Sequence, residues 1–252
     1  MHTLRLIFRF AAFTLVEYVR SGRALVEAAA TIAVYAIFFR RQALDGDHFF
    51  ALAALFTLAL TFYTSSTILG LGDRPQGYLI LARRIGRTGY LLGLYLAIIL
   101  VTAAAYGALS LLVAAFTPVA GLGVAGWLLG SLPLLLNMFL LAALLTLIAP
   151  FVLSSGWRLA LLGLIALAFS NSLLGGSALA TLPTTLLTTI EVLRTMASAP
   201  LLPAFSGYEL AISRDYSGPA FVIPLAQLSL TLGILALAVY AFARRDLIFS
   251  SN

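Results

Sequence analysis

The sequence predicts an all-α membrane protein with six transmembrane helices. Of its 252 residues, 62% are hydrophobic and 10% are charged, and the mean hydropathy is +1.06. A soluble domain carries about 45–50% apolar and about 25% charged residues, so this composition lies far outside the soluble range. The apolar residues also form runs long enough to cross a bilayer, separated by polar segments that contain arginine. We therefore expect residues 1–252 to form a single transmembrane domain.

The apolar runs and their breaks predict the order of elements. The expected spans are residues 24–39, 49–71, 90–116, 127–153, 159–174 and 220–242. Residues 1–23 mix arginines with apolar residues, which predicts an interfacial helix; a cleaved signal peptide fits less well, because charges recur as far as Arg23. Residues 175–219 contain apolar pieces too short to span, which predicts re-entrant or interfacial helices on the outer side. Pro133 and Pro150 predict kinks in the fourth span.

Arginine placement predicts the orientation. All 15 basic residues are arginines, and 11 of them fall on the segments that would be cytoplasmic if both termini are inside. The positive-inside rule favours this topology in the inner (cytoplasmic) membrane. The net charge of +6 follows from these flanking arginines. No basic face interleaved with aromatic residues accompanies it, so we do not expect a nucleic-acid partner.

Residues 72–89 form the most patterned polar segment, GDRPQGYLILARRIGRTG. Glycine and proline break its first part, and residues 78–85 then offer about two turns of helix with an apolar and a basic face. A short helix at the cytoplasmic end of two spans is placed to receive force from a soluble partner. The alternative is a simple topology signal from the arginines.

Polar residues inside the spans are the candidates for a substrate path. Glu27 lies one turn inside the first span; we favour an interfacial position or a pair with Arg23, while an acid in a span is by default a functional candidate. The hydroxyl-rich half of the second span is equally consistent with cavity lining and with helix packing. The remaining polar candidates follow: Thr61, Thr64, Ser65, Asn137, Ser170 and Asn171.

The sequence carries no recognisable catalytic set. It has no cysteine, no phosphate-binding loop, no nucleophile elbow and no zinc helix. Asp45, Asp47 and His48 have metal-ligand chemistry, but three such residues in a short polar turn favour a solvated loop. We therefore expect no enzyme activity, cofactor or metal on this chain, and any energy must come from another polypeptide or an ion gradient.

The order of elements resembles the membrane subunit of type-2 ABC exporters. The likeness rests on the amphipathic N-terminal helix, the arginine-rich inner loop, the broken outer segment before the last span, and the ending AFARRDLIFSSN. The resemblance implies a homo- or heterodimer of such subunits with two cytoplasmic ATPase subunits, which hold Mg-ATP. It also implies ATPase contacts in the arginine-rich loop, at Tyr78, Leu79, Leu81, Arg83, Arg84 and Arg87. The polar residues of the spans would line the substrate path.

Two other classes remain as alternatives. An ion-coupled secondary transporter usually shows internal repeats and charged or broken helices near the membrane midplane; here the two halves differ in loop pattern, and Glu27 is the candidate proton carrier. A non-transporting membrane scaffold would use the arginines for orientation alone. The patterned inner loop and the long outer segment favour the exporter subunit over both.

Overall fold

The protein is helical throughout the part that the structure describes. The computed structural model describes residues 2–40, 44–72, 86–117, 119–169, 192, 195–196 and 198–244. Helices make up 89% of these residues, and no strand occurs among them. The main helices are α1 (His2–Arg20), α2 (Arg23–Val34), α3 (Gly46–Gly72), α4 (Gly86–Phe116), α5 (Val124–Ile148), α6 (Ser155–Phe169), α7 (Leu202–Ser213) and α8 (Val222–Arg244).

Four helices within the described residues are long and apolar enough to cross a membrane: α3, α4, α5, and α8 with the short 3₁₀ turn before it. They correspond to the second, third, fourth and sixth predicted spans. The fifth predicted span is represented by α6, which has 15 residues and ends where the described residues end. Four of the six predicted spans thus correspond to single helices of sufficient length and apolarity, and the six-span topology stays a prediction.

The first predicted span is the second arm of a bent pair of helices. α2 continues through a π-helical turn, Tyr35–Phe39, and α1 meets this arm at 73°. The bend falls at Ser21 and Gly22, and Gly22 has φ of 76°, a left-handed conformation that glycine adopts without strain. The arm Arg23–Phe39 has 17 residues and is about 25 Å long. Helix α1 therefore turns away from the arm, as an interfacial helix would.

Following the predicted topology, we call the end of the bundle that holds Gly72, Gly86 and Arg244 the inner end and the opposite end the outer end. Hydrogen bonds join the helices at both ends. At the inner end, Tyr90 Oη donates to the carbonyl of Gly72 over 2.7 Å, which joins the start of α4 to the end of α3. Toward the outer end, the hydroxyls of Tyr35 and Thr117 lie 3.2 Å apart and join the π-helical turn to the end of α4. The core has two parts accordingly, one centred on Tyr90, Leu94 and Phe151 and one on Phe49, Phe50 and Tyr106.

The connections differ from the sequence prediction in two places. α5 contains Pro133, but it ends at Ile148, so Pro150 lies in the following turn and the predicted kink there is wrong. Proline fits a turn after a helix because it lacks the N–H that the helix would require. α7 lies within residues 175–219, the segment predicted to contain re-entrant or interfacial helices, and it packs against α3, α5 and α8. Residues 175–191, 193–194 and 197 of that segment lie outside the described residues.

Candidate functional site

Three helices come together at the inner end of the bundle: α1, the beginning of α4 and the end of α8. Residues 73–85 lie outside the described part of the chain, and with them Tyr78, Leu79, Leu81, Arg83 and Arg84. Arg87 is described, and its Nη1 donates to the carbonyl of Ala243 over 3.0 Å. That carbonyl belongs to the last turn of α8, where carbonyl groups lack helical partners and a cation is favourable.

Helix α1 packs against the beginning of α4. The rings of Phe10 and Tyr90 lie 4.9 Å apart, and Gly93 allows the approach: a side chain at that position would meet Phe10 Cδ1 at 2.5 Å. The opposite side of α1 is exposed and carries Arg5 and Arg9, together with apolar residues such as Leu4, Phe8 and Phe13. An exposed face that mixes arginines with large apolar side chains fits a membrane interface. The N-terminal helix thus lies beside the beginning of α4, which includes the last residues of the arginine-rich segment.

Glu27 is buried between three helices. Its side chain is 5% exposed, and its Oε1 accepts hydrogen bonds from Tyr18 Oη over 2.7 Å and from Thr64 Oγ1. Of the two favoured sequence interpretations, the pair with Arg23 is wrong, and the interfacial position stays a prediction. Arg23 Nη1 donates instead to the carbonyl of Thr67 over 3.1 Å. Glu27 therefore joins α1, α2 and α3 through hydroxyl groups of the other two helices.

The hydroxyls predicted in the second span face the protein interior. Thr61, Thr64 and Ser65 are all fully buried. Thr61 Oγ1 donates to the carbonyl of Thr57 over 2.7 Å, which is a bond within its own helix. Thr64 donates to Glu27, while Ser65 Oγ has no hydrogen-bond partner among the described residues. The structure thus places Thr64 in the Glu27 cluster; Ser170 and Asn171 lie outside the described residues.

Asn137 belongs to a second buried polar cluster, which joins α5, α7 and α8. Its Nδ2 donates to the carbonyl of Ala204 over 2.9 Å, and its Oδ1 accepts from Gln227 Nε2 over 2.7 Å. Gln227 Nε2 also donates to the carbonyl of Pro133 over 3.2 Å. Gly207 sits against the glutamine amide and leaves no room for a larger residue. These groups connect the helices at a buried crossing.

Arg214 closes the outer end of the bundle. It forms an ion pair with Asp47 at the start of α3, and its guanidinium lies 5.6 Å from the ring of Phe50. Nearby, Tyr216 Oη donates to the carbonyl of Leu129 over 2.8 Å. Asp215 Oδ1 accepts the backbone N–H of Ser217 over 2.9 Å, and this bond holds the pKa of the carboxyl below its ordinary value.

The polar turn before α3 is used for structure. Asp45 Oδ1 accepts the backbone N–H of His48 over 2.8 Å, which satisfies one of the free donors at the start of α3. Asp47 pairs with Arg214 instead of facing Asp45. Within the described residues, no group of three or more histidine, cysteine, aspartate and glutamate side chains could hold a metal ion.

Sequence reasoning missed Tyr18, Gln227 and Arg214 as contact residues. Tyr18 had a usable signal, because it follows Phe10, Ala11 and Thr14 at helical spacing on one face of α1. Gln227 had a weaker signal, an amide within a long apolar run. Arg214 had none, since its partner Asp47 lies 167 residues away in the sequence.

Comparison with known proteins identifies no relative. No family model, no curated protein and no solved structure matches the chain. The case for function therefore rests on the residues and contacts of this chain alone.

Proposed function

We propose that the chain is the membrane subunit of an ATP-driven exporter of the type-2 ABC class, coupled to separate cytoplasmic ATPase subunits. One observation carries the proposal: α1 and the end of α8 both contact the start of α4, where the described C-terminal part of the arginine-rich segment lies. A soluble partner that pushed on this segment would act on all three helices together.

The contacts at the inner end are suited to transmitting such a force. Arg87 ties the start of α4 to the last turn of α8, and Tyr90 ties it to the last turn of α3. Hydrogen bonds from charged groups contribute about 1.5–3 kcal/mol, more than neutral ones. A displacement of α4 would therefore reach α3 and α8, two of the four helices long enough to span a membrane.

The proposal is tested by purification in mild detergent from cells that express the chain naturally. We expect a soluble subunit to co-purify with the tagged chain and to show vanadate-sensitive ATP hydrolysis. Reversing Arg83 and Arg84 to glutamate should abolish co-purification while membrane insertion stays intact. A matched control is the other arginine pair, Arg40 and Arg41, which the topology places on the outer side; its reversal should leave co-purification unchanged.

Two results would overturn the proposal. One is a clean preparation of the wild-type chain with no ATPase subunit and no turnover. The other is normal co-purification from the variant with Arg83 and Arg84 reversed, because the basic segment would then play no part in partner binding.

Burial of Glu27 favours a second candidate, an ion-coupled secondary transporter. Acids buried between membrane helices serve as proton carriers in such proteins. Transport in sealed vesicles distinguishes the two candidates: an exporter requires ATP and its partner and is stopped by vanadate. A proton-coupled carrier is stopped by a protonophore and by Glu27→Gln, and it works without ATP.

A further inference from the structure

An apolar groove runs along the surface between α2 and α4. Its volume is about 720 Å³, within the range of about 300–1,000 Å³ that is usual for small-molecule sites. Small side chains of α4 form its floor, at Ala104, Ala105, Ala108 and Ala115. α2 contributes the facing wall, including Ala28 and Ile32. A groove with a smooth, small-residue floor accommodates an extended alkyl chain.

The groove has a polar inner end and an apolar outer end. Tyr18 and Glu27 line it at one end, and Leu111 and Phe116 line it toward the other. The lining of α4 extends from Val101 to Phe116, which corresponds to about 22 Å along a helix. A long, single-chain amphiphile fits these dimensions, with its head at Glu27 and its tail along α4.

One carboxylate oxygen of Glu27, a residue that lines the groove, has no hydrogen-bond donor among the described residues. Both hydroxyl donors, Tyr18 and Thr64, bind Oε1, and Oε2 receives no hydrogen bond from the described residues. A buried carboxylate requires a cation or further donors. The nearest arginine along the helix, Arg23, is bound to the carbonyl of Thr67.

We propose that the groove binds a long-chain primary amine, with its ammonium group on Glu27 and its alkyl chain on the alanine floor of α4. An ammonium group supplies both the positive charge and the donor that Oε2 lacks. The occupant would enter laterally from the inner leaflet. The site stands on its own contacts, whether or not the chain couples to an ATPase.

The test compares two ligands that differ in the head group. The purified full chain in lipid nanodiscs is titrated with radiolabelled octadecylamine and, separately, with octadecanol. We expect Glu27→Gln to weaken amine binding by about tenfold or more, as for loss of a charge-assisted hydrogen bond, and to leave octadecanol binding unchanged. The control Glu17→Gln changes an acid of α1 that does not line the groove and should affect neither ligand.

A second pair of variants tests the groove itself. Ala108→Phe fills the floor and should reduce the binding of both ligands by at least tenfold, while Ala114→Phe, on the same helix but outside the groove, should not. Equal amine affinity in wild type and Glu27→Gln would overturn the proposal, and so would normal binding to Ala108→Phe. If Glu27→Gln weakened both ligands equally, Glu27 would have a structural role only, and the ammonium site would be wrong.

Discussion

Replacing Gly130 with alanine tests the packing at the outer end of the bundle. A Cβ added at this position would lie 2.5 Å from Cε1 and 2.5 Å from Cε2 of Phe50, far inside van der Waals contact. The ring cannot easily retreat, because it is fully buried, lies 5.0 Å from the ring of Phe49 and is covered by Arg214 at 5.6 Å. The added methyl group must therefore displace a packed aromatic cluster.

The expected change in the free energy of unfolding is the sum of two opposing contributions. Overpacking of a well-packed core costs about 1–3 kcal/mol, and alanine gains about 1 kcal/mol over glycine in helix propensity. We expect Gly130→Ala to lower the free energy of unfolding by about 0–2 kcal/mol relative to wild type, and by about 1–3 kcal/mol relative to an alanine substitution that gains the same propensity without overpacking. Gly126→Ala is the matched control from the same helix: its Cβ would meet Leu122 Cδ1 at 2.9 Å, the far end of a flexible side chain that can move. Its stability should equal or slightly exceed that of wild type.

The assay is SDS titration in mixed micelles, followed by tryptophan fluorescence in a Trp157→Phe background. Trp127 then reports alone, and its ring lies 4.5 Å from that of Phe49. The double variant Gly130→Ala with Phe50→Leu should lose less stability than the sum of its two single changes, by about 1 kcal/mol or more. Equal unfolding midpoints for Gly130→Ala and Gly126→Ala would refute the reasoning, because the two glycines would then be equivalent.

Two further predictions concern other polar contacts. Gln227→Leu removes the donor to Asn137 Oδ1 and should lower the free energy of unfolding by about 1–3 kcal/mol in the same titration. The control is Thr231→Val, whose hydroxyl donates to the carbonyl of Gln227 in its own helix, and it should lower the stability less. A larger loss from Thr231→Val would contradict the role of Gln227 in joining the helices. The pKa of Asp215 is lowered because the backbone N–H of Ser217 donates to its carboxylate. This bond contributes stability above the ordinary aspartate pKa of about 3.9 and is lost as pH falls through the lowered value. An NMR titration of Asp215 should show a midpoint below that ordinary value, and a midpoint at or above it would contradict the bond.

The sequence predicted the long helices because they have a local cause. Apolar runs such as those of α3 and α4 exceed the length needed to cross a bilayer, and only a helix satisfies the backbone there. The first span was harder to predict. Its 17-residue arm is short and is joined to α1 through the bend at Gly22, so length alone did not separate a span from an interfacial helix. The kink at Pro150 was predicted wrongly because the end of the helix was placed too late. A proline near a helix end is equally compatible with a kink inside the helix and with the end of the helix.

The candidate site was predictable in its components and not in its contacts. Glu27 and Thr64 stand out in the sequence because placing a polar side chain within an apolar membrane segment costs free energy. Their pairing depends on how α1 folds back over α4 and brings Tyr18 to Glu27. The sequence spacing favoured Arg23 as the partner of Glu27. In the structure, Arg23 donates instead to the carbonyl of Thr67. Helical spacing limits which residues are neighbours within one helix, but it does not determine which helix lies opposite.

By itself, the sequence determined that this chain is helical, apolar enough for a membrane, and arginine-biased toward one side. These properties depend on composition and on periodicity along the chain, both of which are local. Only the tertiary structure decided that Glu27 is buried under two hydroxyls, that Asn137 meets Gln227, and that Gly130 faces Phe50 while Gly126 does not. Those contacts join residues that are mostly far apart in sequence, and packing of helix against helix selects them.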